Sequence, residues 1–312
     1  MKTLFKKHKN ESVLAAIFIL LFILFSIFSK NFFKLSNIMN LFAQMATLSL
    51  LTLGMAASMV SGGMDLSIGA VCSMCTVLCG TFIGTMNMNI PLALLITLVI
   101  AVICGLFNGF LIGYCKINSM LVTLGTQSLF TGVGLVISKG QTVPIPTDRF
   151  ALFGRTKLFG FLPVDILVII FGFVLAVLIF SYLIPGRRIY LIGANTEVAR
   201  FAGINISLNI MLTYVVCAVY AFLGAIVLAS RVASGRADVA SALVLKSVSA
   251  AVFGGVSTLG GIGTMAGAML GVMVIQIITN GMDMMNFSTY IQQISIGVVL
   301  LVVLAFRHRK SR

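Results

Sequence analysis

Of the chain's 312 residues, 60% are hydrophobic and only 9% charged, with a mean hydropathy of +1.14, a balance that excludes a soluble globular protein. The net charge is +14. Its Lys and Arg gather at the termini and between apolar runs, without interleaved aromatics, which excludes a nucleic-acid surface and suits membrane topology.

No stretch is polar enough for a separate domain, so residues 1–312 read as one all-α, membrane-embedded unit. The opening MKTLFKKHKN and apolar 13–28 have the basic and apolar regions of a signal peptide. SIFSKNFFK follows instead of a small-residue cleavage site, so 13–28 is expected to stay as a first helix. Further spans are predicted at 41–60, 66–86, 90–113, 120–138, 166–184, 210–230, 243–259, 262–278 and 290–306, making about ten transmembrane helices. The eighth contains Lys246, which near a helix end could snorkel to the headgroups. An even count puts both termini on one side. The basic ends (Lys2, Lys6, Lys7, Lys9; Arg307, Arg309, Lys310, Arg312) place that side in the cytoplasm, while elsewhere the bias is weak.

Two connections are long. Lys139 to Asp165 holds three of the five prolines and falls outside. Gly186 to Leu208 falls in the cytoplasm, is polar, and carries Arg187, Arg188, Glu197 and Arg200; its TEVARFAG portion suits a short surface helix. SGGMDLSIG and FGGVSTLGGIG echo one another as glycine joints between apolar helices, either a trace of duplication or simply tight hairpins.

Seven acidic residues and two His near the chain ends supply no paired-carboxylate, metal or nucleophile constellation. No GxxxxGK[ST] is present, so the chain cannot drive ATP-powered transport alone. Cys72 and Cys75 form a CxxC without a second pair, and all six Cys lie in or beside apolar runs as small hydrophobes; no cofactor or metal is expected. Asp65 interrupts two apolar runs. It is either an interfacial N-cap for the helix starting at Leu66 or a group beside the pathway, with Gly62 and Gly63 permitting close approach and Ser67 next to it. Gly105, Gly109 and Gly113, Gly125, Gly132 and Gly134, and Gly263, Gly267 and Gly271 are first packing devices. Asn108, Thr123, Gln127, Gln276 and Asn280 are candidates for contacting a polar solute.

Four segments in order resemble the membrane permeases of bacterial ABC importers for ribose and related sugars: VSGGMDLSIGAV, LVTLGTQSLFTGVGLVISKGQTV, GRRIYLIGANTEVARFAGINI and AAVFGGVSTLGGIGTMAGAMLG. The resemblance spans almost the whole chain. It implies a multi-pass protein of the bacterial inner membrane, paired with a second permease subunit as homodimer or heterodimer. A cytoplasmic ATPase and an extracytoplasmic sugar-binding protein would be its partners. It also implies that TEVARFAGIN is the element that meets the ATPase, at Glu197, Ala199, Gly203 and Asn205, with Val198 in place of an alanine. One departure stands out: where ribose permeases carry two acids, this chain has Val244 and Lys246, as would suit a heterodimer whose partner keeps the charge, like the permease pairs for autoinducer-2. The leading expectation is therefore half of an alternating-access pathway for a sugar-like solute, against a secondary transporter coupled through Asp65 or Lys246. An enzyme finds no support.

Overall fold

The computed structural model describes residues 9–28, 31–146, 150, 154, 156–160 and 162–298. Most of it is helix: α1 Lys9–Phe28, α2 Leu35–Val60, α3 Ile68–Cys79, α4 Ile90–Gly113, α5 Ser119–Ser138, α6 Asp165–Val177, α7 Ile184–Ala194, α8 Thr196–Phe201, α9 Ile206–Val232, α10 Ser241–Phe253, α11 Met265–Met284 and α12, residues 289–298. Among the described residues, seven helical spans are long and apolar enough to cross a bilayer, and two apolar helices are shorter. The predicted span 290–306 is described only to 298, and the basic residues 1–8 and 307–312 lie outside the described residues.

The helices start and stop where the chemistry requires. Pro91 opens α4, where its missing N–H costs nothing. The side chains of Asn118, Asn195, Asn205 and Thr264 each accept a backbone amide at the start of α5, α8, α9 and α11, each such cap contributing about 1 kcal/mol. Both α3 and α6 loosen into a wider last turn (Gly80–Thr85 and Leu178–Tyr182), which lengthens each to a full crossing.

Several boundaries differ from the hydropathy expectation, among them the end of α11, which runs to Met284 and not 278. Helix α2 begins at Leu35 and not at 41, because polar Ser36, Asn37 and Asn40 mask its first turns from an apolar-run criterion. The run 243–259 ends as helix at Phe253, where Gly254 and the positive-φ Gly255 (φ 94°) turn the chain. At 13 residues α10 is about 20 Å long, short of a ~30 Å hydrocarbon core. The segment 186–208 contains two helices, α7 and α8, and not one.

The core is built on α2, from Met45 to Val60 buried without interruption, which packs against α9, α10, α11 and α6. Helix α9 lies between α2 and α4. Its approach to α4 is set by glycines: a Cβ on Gly109 would meet the Met211 Cα and carbonyl oxygen at 2.6 Å, and one on Gly113 the Ser207 carbonyl oxygen at 2.5 Å. Gly267 and Gly271 likewise abut the backbone of Gly254 and Ala250 on α10. These are small-residue helix contacts. Gly125 and Gly132 depart from that pattern, with nothing within 4 Å of an added Cβ. Exposed Leu95, Val99, Ile103 and Phe107 give α4 an apolar outer face suited to lipid.

The connections sort to two ends. At one, β1 (Val143–Pro144) pairs antiparallel with β4 (Ser234–Gly235), joining the long Lys139–Asp165 connection to the turn after α9. A small hairpin, β2 (Lys157–Leu158) with β3 (Leu162–Pro163), sits in the same connection. At the other end lie the α2–α3 and α10–α11 joints and α7. Alternating the ten predicted spans across a bilayer would give this same partition.

Candidate functional site

The two glycine joints that look alike in sequence touch each other. The Gly261 amide donates to the Val60 carbonyl at 2.9 Å. A Cβ on Gly260 would lie 2.8 Å from the Gly62 Cα and 2.7 Å from the Gly193 carbonyl oxygen, and one on Gly193 would collide with the Val60 carbonyl oxygen and the Gly261 amide. Three segments distant in sequence thus meet backbone to backbone, which residues with side chains could not do. Gly62, Gly260 and Gly261 also hold positive φ (89°, 95° and 69°), a region only glycine enters freely. Tyr190, one turn before Gly193, donates its hydroxyl to the Gly263 carbonyl at 2.8 Å, tying α7 to the second joint.

Asp65 lies on the α2–α3 joint and is only 3% exposed. Its Oδ1 accepts the Ser67 amide (3.1 Å) and the Ser67 hydroxyl (2.6 Å), and the Ser67 oxygen accepts from Asn108 Nδ2 (2.8 Å). Asp65 does the bonding of an N-cap, its side chain accepting the amide two residues ahead and its carbonyl the Ile68 amide, while Ser67, at the start of the regular helix α3, makes no side-chain cap bond; the site is buried and not interfacial. The neighbours explain its burial. Met64 is held by α5, its carbonyl accepting from Thr123 Oγ1 (3.2 Å) and its amide donating to Ser119 Oγ (3.4 Å), and the space where Gly63 lacks a side chain is taken by the Tyr214 hydroxyl.

Asp65, Ser67, Asn108 and Thr123 therefore form one cluster with Gly62 and Gly63. Gln127, half-buried one turn further along α5, makes no hydrogen bond to it among the described residues. Asn280 lies at the opposite end of α2, where it exchanges amide bonds with Asn37 in both directions (3.0 and 3.2 Å). Gln276 is similarly engaged with Gln44 at 3.0 Å. These amides join α2 to α11. They are engaged with one another across the α2–α11 contact.

The second predicted element, α8, stands out from the body. Ala199 is fully buried, while Phe201 is 89% and Val198 49% exposed. Glu197 and Arg200 pair at 3.1 Å on the open surface, and Arg187 and Arg188 are exposed on α7. Asn205 caps α9 through its side chain, accepting from the Leu208 amide at 3.0 Å, a structural duty that leaves only its exposed edge for contacts. Gly203 ends α8 at φ 73°. Gly193 and Tyr190, which tie α7 to the joints, lie within the GRRIYLIGANTEVARFAGINI segment, but as uncharged residues in an apolar stretch they carry no local sign of what they touch. Among the described residues no group of three or more His, Cys, Asp or Glu could hold a metal ion.

Residues 37–304 match a family profile described as "Branched-chain amino acid transport system / permease component". The chain is similar to the autoinducer 2 import system permease protein LsrC of Photorhabdus luminescens, 30% identical over 97% of this chain and 91% of the relative. It is equally similar to the ribose import permease protein RbsC of Bacillus subtilis, 30% identical over 94% of this chain and 91% of the relative. A third relative is the LsrD permease protein of Yersinia pseudotuberculosis, 28% identical over 97% of this chain and 92% of the relative. No solved structure matches.

Proposed function

The chain belongs to the family of permease components of branched-chain amino acid transport systems, and from that premise we propose that it carries a sugar or sugar-like solute as one transmembrane subunit of an ATP-driven importer. The observation that carries the solute class is the near-full-length similarity to ribose and autoinducer-2 import permeases. The joints and α7 face the cytoplasm of a bacterial inner membrane, where α8 docks an ATPase subunit through Glu197, Val198, Arg200 and Phe201. A binding protein delivers solute at the β1–β4 end, and a second permease subunit completes the pathway. The chain itself holds no cofactor.

Motion has a defined route in this reading. A displaced α8 carries α7, and Gly193 pushes on both joints together, shifting α3 and α11 relative to α2. That is a two-state rearrangement of the kind alternating access requires. A secondary transporter finds less support, because the Asp65 oxygen that faces the cluster is already taken up by Ser67. In proteoliposomes containing permease, ATPase and binding protein, Glu197→Lys is expected to abolish solute-stimulated ATP hydrolysis. Undiminished stimulation would sink the role given to α8, and solute accumulation by this chain alone would refute ATP-driven import.

A further inference from the structure

A groove of about 280 Å³ opens between α10 and α12. Its walls are Leu245 and Ile296, and its polar groups are Lys246, Ser249 and Gln293. Lys246 is the sixth residue of the 13-residue α10, about 8 Å along the helix from its start, and not at an end. It is half-buried, and among the described residues it makes no ion pair or hydrogen bond. Ser249 spends its proton on the Leu245 carbonyl at 2.7 Å, which leaves its oxygen as an acceptor, and the Gln293 amide offers both donor and acceptor.

An ammonium group without a counter-charge inside a membrane span is unfavourable unless it faces water, a partner charge or a passing ligand. The groove supplies a cation beside two neutral hydrogen-bonding groups. Hydroxyls suit the neutral groups, and a carboxylate or phosphate suits the lysine. We propose that Lys246, Ser249 and Gln293 line the solute pathway and that the groove takes a polyhydroxylated anion, a sugar acid or sugar phosphate, in preference to a neutral sugar. This rests on the importer reading above and narrows its substrate class.

The test uses the permease–ATPase complex in nanodiscs. A cysteine is placed on the groove wall (Ala242→Cys) and Cys115, the exposed native cysteine, is replaced (Cys115→Ala). A sulfonate-bearing methanethiosulfonate is expected to modify this cysteine faster than a trimethylammonium-bearing one. D-gluconate is expected to protect it where D-ribose at equal concentration does not. Lys246→Met should cut the gluconate protection about tenfold, as loss of one charge-assisted contact implies. Equal protection by both solutes, or none, overturns the proposal. So does loss of the second permease subunit on purification of Lys246→Met, which would reassign the lysine to an inter-subunit ion pair. ATP-dependent uptake with the binding protein present separates the two readings: uptake of ribose but not gluconate rejects the anion and spares the importer, whereas accumulation of either without ATP refutes the importer itself.

Discussion

Asn37 and Asn280 each donate to the other, and Asn37 also donates to the Phe32 carbonyl at 2.9 Å. Removing Asn280 leaves the buried Asn37 oxygen without its donor, while removing both leaves apolar surfaces facing each other with only the Phe32 carbonyl unpaired. Asn280→Leu should therefore cost about 1 kcal/mol, and adding Asn37→Leu should restore part of it. Thermal unfolding of the four proteins of this cycle in detergent checks the sign of the coupling. Unchanged solute selectivity in all four would place Asn280 off the pathway. Asn108 differs from this pair, since its Nδ2 supports Ser67 and through it the turn at Asp65. Asn108→Ala should loosen that turn and lower stability by about 1 kcal/mol, read in the same assay.

At the level of elements, α4 and α9 approach so closely at Gly109 that a methyl group has no room. Gly109→Ala should destabilise the protein by about 1–3 kcal/mol as the helices are forced apart. Gly125→Ala, where nothing lies within 4 Å, should be near-neutral in the same measurement. Helix α8 gives the opposite combination, exposed and therefore removable. Phe201→Ser should leave the melting temperature unchanged and weaken stimulation of ATP hydrolysis, and an unaltered response would show that the ATPase grips α8 elsewhere. The Glu197–Arg200 pair, more than half exposed, contributes little to folding, so changes there report on coupling and not on stability.

For the whole molecule, Glu197 and Asp238 lie at opposite ends. Hydrogen bonds from the Arg236 guanidinium hold the Asp238 carboxyl below its usual pKa. With Cys115 replaced, Asp238→Cys should react with an impermeant thiol reagent in intact cells, and Glu197→Cys only after the cells are opened; the reverse order would invert the topology. The spans were legible in sequence because burial in lipid writes itself as long apolar runs, and α4 is found where its run predicts. The short α10 was not, since its apolar run continues through Gly254 and Gly255, and hydropathy registers polarity but not backbone turns. Asp65, Ser67, Asn108 and Thr123 could be named as polar interruptions. That Asn280 belongs to a different place depends on which helices are neighbours, and no local pattern carries that.

The contact of Gly62, Gly193 and Gly260 has a mechanical meaning. Side chains act as cushions: they rotate and absorb small displacements before the backbone feels them. Here backbone rests on backbone, so the junction is stiff, and a push on α7 reaches α3 and α11 undamped and at the same moment. The place where this bundle has the least material is also where its parts are least free to move separately.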